Sequence, residues 1–272
     1  MRRHIAIAGA AGVFALALAP AAAQADNHEA TVSVLHAVPG LTVDVYANGE
    51  ELIPDFAPGT LTDPLTLPAG SYDLQVFADG EGPDGDPAIE ANGVEVPGGA
   101  NATVVAHLDA DGNPTLTPFV NDTSATAPGE ARLTVRHTAA APAVDIRADG
   151  DVLFGDVTNP NEGTADVPAG SYSADVALAG TDQVAIGPAD LQLAEGVNTI
   201  VYAWGSAEEG NLQLATQTID GLHSAPAGVP GGQVGLAAEG SSTPMWAWML
   251  GAGSAAALVL AGGRLVPARA RR

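Results

Sequence analysis

Between residues 30 and 220 apolar and polar positions alternate with a period of two, the spacing of strands with one face buried. Val32, Val34 and His36 alternate with Ser33 and Leu35, and Val43 and Val45 with Thr42, Asp44 and Tyr46. Tyr72, Leu74 and Val76 alternate with Asp73, Gln75 and Phe77, and Thr103 to Leu108 forms a further run. The series returns as Leu133/Val135, Val144/Ile146, Tyr172/Ala174/Val176 and Thr199 to Trp204. Asn48-Gly49, Pro68-Ala69-Gly70, Asp111-Gly112 and Asp149-Gly150 punctuate the runs as turns. No part of this region sustains a helical period. About seven short strands per half are expected, the mark of an antiparallel sandwich.

The halves are related. HAVPGLTVDVYANG (36–49) aligns with HTAAAPAVDIRADG (137–150), and LPAGSYDLQVFADG (67–80) with VPAGSYSADVALAG (167–180). GVEVPGGANATVVAHL (93–108) aligns with ADLQLAEGVNTIVYAWG (189–205), placing Asn101 on Asn198. The offset falls from 101 to 100 to 97, as insertions in loops would produce. A period this long describes tandem domains, since solenoid repeats are shorter. Two copies of an H…P/A…VDVYANG start followed by LPAGSY resemble the bacterial domain of unknown function family 4397, over residues 31–122 and 131–220. The second copy departs in having Ala140 where the first has Pro39. The resemblance implies an extracytoplasmic β-sandwich and brings no established activity and no catalytic residues.

The two ends follow another pattern. Arg2 and Arg3, an apolar run from Ile5 to Ala19, and Ala23-Gln24-Ala25 before Asp26 make residues 1–25 a secretory signal. Residues 245–263 carry no charge, and as a helix of roughly 1.5 Å per residue they match the hydrocarbon thickness of a bilayer. Trp246 and Trp248 flank one side and the Arg-rich tail 264–272 the other, which orients the tail to the cytoplasm. Residues 221–244, rich in Gly, Pro, Ala and Ser, read as a flexible stalk. The stretch before the hydrophobic segment, GLAAEGSSTP, has no LPxTG-like sorting motif, so membrane rather than wall attachment is expected. The expected order is signal 1–25, first repeat 26–122, linker 123–130, second repeat 131–220, stalk, transmembrane helix and tail.

Charge narrows the function classes. All 32 acidic residues fall between Asp26 and Glu239, against only Arg132, Arg136 and Arg147. Such a surface repels phosphate backbones, so no nucleic-acid partner is expected. The chain has no cysteine, which excludes disulfides, thiolate nucleophiles and zinc–cysteine sites.

Candidate chemistry is sparse. His36 and His137 match between the halves and by alternation point inward at a strand end, where a backbone carbonyl is the expected partner. Asp44 and Asp145 also match, but Val43/Val45 and Val144/Ile146 take the core face, so the carboxylates should point outward and away from the histidines. Ser71-Tyr72 and Ser171-Tyr172 lack a nucleophile elbow and read instead as a tyrosine corner. Asp109, Asp111 and Asn113 are spaced like the start of a calcium loop, but Val120 stands where the bidentate acid belongs. The denser run 79–86 has no fixed ligand spacing, and the counterparts 179–182 and 205–209 keep neither pattern; acidic hairpin turns are the plainer reading. Asn101-Ala-Thr103 and Asn121-Asp-Thr123 fit the glycosylation pattern, which arises by chance.

No catalytic, metal or cofactor-binding residue is therefore assigned. The expected function is a non-enzymatic, single-pass surface protein displaying two immunoglobulin-like sandwiches to an extracellular protein or matrix component. A ligand- or calcium-binding sensor is the alternative, and an exported enzyme the third possibility.

Overall fold

The computed structural model describes residues 29–224. The signal 1–25, the segment 245–263, the tail 264–272 and all but the first residues of 221–244 lie outside them. Among the described residues no helix is long and apolar enough to cross a membrane.

Sixteen strands fall into two series of eight. The first is β1 (Glu29–Ala37), β2 (Val43–Ala47), β3 (Glu50–Phe56), β4 (Leu65–Pro68), β5 (Gly70–Ala78), β6 (Ile89–Val96), β7 (Asn101–Leu108) and β8 (Pro114–Val120). The second is β9 (Glu130–Ala140), β10 (Val144–Ala148), β11 (Asp151–Val157), β12 (Glu162–Pro168), β13 (Gly170–Leu178), β14 (Val184–Leu193), β15 (Asn198–Ser206) and β16 (Gln213–Ile219). The sheets run β4-β1-β7-β8 and β3-β2-β5-β6, then β12-β9-β15-β16 and β11-β10-β13-β14. The strand order of the first series is thus repeated in full by the second.

All-β sandwich architecture was legible in the alternation, but two details differ from expectation. There are eight strands per series rather than about seven. β3 and β11 break alternation because each pairs through a bulge, at Val43/Val45 and at Val144/Ile146, so period-two counting passes over them. The sandwiches are also not wholly antiparallel: β1 pairs with β7, and β9 with β15, in parallel. After β1 the chain crosses to the opposite sheet for β2 and β3, returns as β4 antiparallel to β1, crosses again for β5 and β6, and comes back as β7 parallel to β1. In the immunoglobulin order the first two strands are neighbours in one sheet; here β1 and β2 lie in different sheets, so the immunoglobulin strand order does not apply.

Each sandwich has an aliphatic interior. Val34, Val43, Val45, Phe56 and Val76 pack in the first, and Leu133, Val135, Val144, Ile146 and Val176 in the second. A third cluster belongs to neither interior. Leu35, Ala37, Val105 and Phe119 of the first series pack on Ile200, Tyr202 and Trp204 of the second. The sheets containing β1/β7 and β9/β15 therefore lie face to face and are buried on both sides. This explains why every residue of β15 is buried and every residue of β9 between Ala131 and Ala139.

Equivalent ends lie together. Asn198 near the start of β15 donates to the Asp122 carbonyl just after β8. At the other end the Asn159 amide donates to both Leu108 and Ala139 carbonyls, at 2.8 and 2.7 Å. The connection 121–129 is tied down as well. Arg132 Nη1 meets Asp122 Oδ1 and the Ser124 carbonyl at 3.0 Å each, while its Nε and Nη2 grip Asp166. The beginning of the expected stalk also belongs to the folded body. Leu222 is buried, its N–H donates to Gly196 and its carbonyl accepts from Thr126.

Candidate functional site

His36 and His137 occupy the expected strand-end positions and are 1% and 2% exposed. Nε2–H donates to the carbonyl of Leu41 (2.8 Å) or Pro142 (3.0 Å), which fixes the tautomer because a carbonyl only accepts. Nδ1 then accepts a long bond from the N–H of Val38 or Ala139. Burial lowers both pKa values, against the opposing effect of the carbonyl. A third histidine, His107, is also fully buried and is lowered by burial. It donates from Nδ1 to the Leu108 carbonyl and accepts from Thr117 at Nε2. The three rings are neutral structural staples of the loop end.

Asp44 and Asp145 do not meet these histidines. As expected they lie on the face away from the core, but backbone covers them there. Asp44 accepts the N–H of Asp55 (2.9 Å) and of Gly80 (3.1 Å) on its two oxygens. Asp145 does the same with Asp156 and Gly180, and those N–H groups hold its pKa below the usual carboxylate range. Asp55 and Asp156 adopt positive φ (51° and 56°), so each Asp44-type carboxylate pins a left-handed turn of the neighbouring strand.

In the first sandwich this arrangement gathers a third carboxylate. Asp44, Asp55 and Asp79 each offer an oxygen within 4.8 Å of the others, a geometry that could hold a hard cation such as calcium. Desolvation, then repulsion by Asp55 and Asp44 and a hydrogen bond with Asp55, raise the Asp79 pKa, so a proton is the competing way to relieve the crowding. The second sandwich has Ala179 at the corresponding position. Sequence reasoning missed this triad. Its members are spread over 36 residues and come together only through the β2–β3 and β2–β5 pairings; the acidic run 79–86 was the one signal near it.

The tyrosine corner is present in both sandwiches: Tyr72 and Tyr172 donate to the Pro68 and Pro168 carbonyls at 2.7 Å. Ser171 donates to Gln192, and both Ser71 and Ser171 are exposed. Asp109 accepts from the N–H groups of Asp111 and Asn113, closing the β7–β8 hairpin as a turn. Asn121 is 4% exposed and donates to Asn101 Oδ1 (2.7 Å) and Thr103 Oγ1 (3.0 Å), a buried setting closed to a glycan.

The most extensive polar assembly lies between the sandwiches. Arg136, 1% exposed, pairs through Nε with Glu162 (2.7 Å), donates to the Tyr202 hydroxyl (2.8 Å) and lies 4.4 Å above the Phe119 ring. The Tyr202 and Thr103 hydroxyls both donate to Gln217 Oε1, at 2.6 and 2.9 Å. Gln217 Nε2 reaches Ser33 at 3.4 Å. Arg136 crosses to the first half through Phe119, and Gln217 through Thr103 and Ser33, while Glu162 holds Arg136 from within the second. The sequence signal was available: Arg136, Tyr202 and Trp204 stand on the faces of their strands opposite the core residues.

Strand order, face-to-face packing and backbone-tied polar groups define a tandem β-sandwich protein. Residues 30–147 match the profile of the family described as Domain of unknown function (DUF4397). The match takes in the first eight strands and extends into β10, in line with the resemblance that the motifs carry. No curated protein matches the chain.

Proposed function

We propose that the chain is a non-enzymatic surface protein. Two copies of the same domain, fused into one body, would be carried outside the cell on a single C-terminal membrane helix. The observation that carries this reading is the fused interface, with both chain ends of the body on one side. Glu29 and Leu222 are held beside the turns 97–100 and 194–197 respectively, and the paired loop ends lie at the opposite side. A tether leaving from one end presents the other. Repetition of strand order, the Asp44/Asp145 staples and both tyrosine corners support descent of the second half from the same domain. The commitment of His36, His107 and His137 to backbone and hydroxyl partners favours a binding or structural role over catalysis. Protease treatment of intact cells tests the placement. Loss of the 29–224 body with retention of a membrane-bound C-terminal fragment is expected; full protection of the body would refute it.

A second reading, calcium binding in the first sandwich, is favoured by the Asp44, Asp55 and Asp79 oxygens. It predicts that millimolar calcium raises Tm of the wild type and not of Asp79→Ala, which installs the residue of the second sandwich. Equal Tm with and without calcium in the wild type would remove this reading.

A further inference from the structure

The loop end of the second sandwich carries a groove of about 410 Å³ lined by Pro142, Leu178, Ala185, Ala207 and Leu212. Its floor continues between the two sheets toward His137 and Val144. The lining also includes Gln183 and Gly210, and an open recess that combines apolar surface with a few polar groups is the usual form of a binding site.

The rim is acidic. Asp182 adjoins the β13–β14 side of the groove, and Glu208 and Glu209 lie between the lining residues Ala207 and Gly210; all three are exposed. The nearest guanidinium, Arg147, is held by Asp175 at 2.7 Å and reaches Asp182 at 3.5 Å. The other two arginines of the body are buried.

We propose that this groove docks a positively charged, extended segment of a partner protein, which inserts one aliphatic side chain between Pro142, Leu178 and Leu212 while its basic residues meet Asp182, Glu208 and Glu209. Apolar floor and acidic rim are the two halves of the recognition: burial supplies affinity, and charge supplies orientation and association rate. The inference rests on the binding-module reading and names the chemistry of its partner. It does not depend on where the protein resides in the cell.

The test uses the purified full-length chain and two fluorescent pentapeptides of equal charge, one alternating Lys with Leu and one alternating Lys with Ser. The Lys/Leu peptide is expected to bind about tenfold tighter, as burial of one aliphatic side chain supplies. Ala207→Trp, a change at an exposed position that plugs the rim, should remove that preference while leaving Tm unchanged. Equal affinity of the two peptides would show attraction by net charge alone and overturn the proposal. So would a preference that survives Ala207→Trp, or concentration-dependent self-association blocked by it. Protease shaving reads cellular placement independently, so failure of one reading is distinguishable from failure of the other.

Discussion

Buried polar side chains decide much of what this molecule is. His36, His107 and His137 have pKa values lowered from 6.5 by burial. Below that value the unfolded chain takes up protons that the folded chain refuses. Stability present at neutral pH is therefore lost as pH falls from 6.5 through the lower folded-state values. Asp79, raised from 3.8, acts with the opposite sign in the acid range. Thermal melts should show Tm level above about pH 7 and declining below 6.5; a level profile down to pH 5 would contradict neutral burial of these rings. Tyr202→Phe removes a hydroxyl that accepts from Arg136 and donates to Gln217. It should cost about 1–3 kcal/mol in urea denaturation, because both partners stay buried with one bond fewer. At this scale the matched histidines were legible as inward strand-end residues. The Asp44, Asp55 and Asp79 cluster was not, because strand pairing rather than spacing assembles it.

The strands obey local rules wherever only one face is buried. Asn48-Gly49 and Asp149-Gly150 have positive φ at both positions (52° and 80°, 52° and 90°), as a two-residue hairpin turn demands. Close approach between the two sheets sets a second constraint: a Cβ on Gly163 of β12 would overlap the Phe154 ring of β11. Gly163→Ala is expected to destabilise by about 1–3 kcal/mol through displacement of that ring, measured by urea denaturation; an unchanged midpoint would show that the ring yields freely. Alternation marked most strands because their outward residues are polar. It passed over β3 and β11, the partners across the bulges, and it gave no sign that β1–β7 and β9–β15 run parallel. Parallel pairing follows from the path the chain takes between the sheets, which a local pattern does not record.

Face-to-face fusion governs the whole molecule. Tandem repeats separated by a segment rich in Ser, Thr, Ala, Pro and Gly suggested two modules on a linker. Instead Leu35, Val105 and Phe119 close against Ile200, Tyr202 and Trp204, and Arg132 fastens the connecting segment. The clue lay in IVYAW of β15, apolar or aromatic on both faces, which one-sided burial does not require. The turn 109–113 closes the β7–β8 hairpin of one sandwich and 207–212 the β15–β16 hairpin of the other, and the Asn159 amide joins Leu108 to Ala139 at this end, so the groove and its acidic rim sit on a fixed platform. Because the chain contains no cysteine, Asp111→Cys with Glu208→Cys creates a pair of unique spin-label sites in these two turns. Electron–electron distance measurement on this variant should give one narrow distribution that persists at high salt. A broad distribution, as from two domains moving independently on a flexible segment, would contradict the fused arrangement.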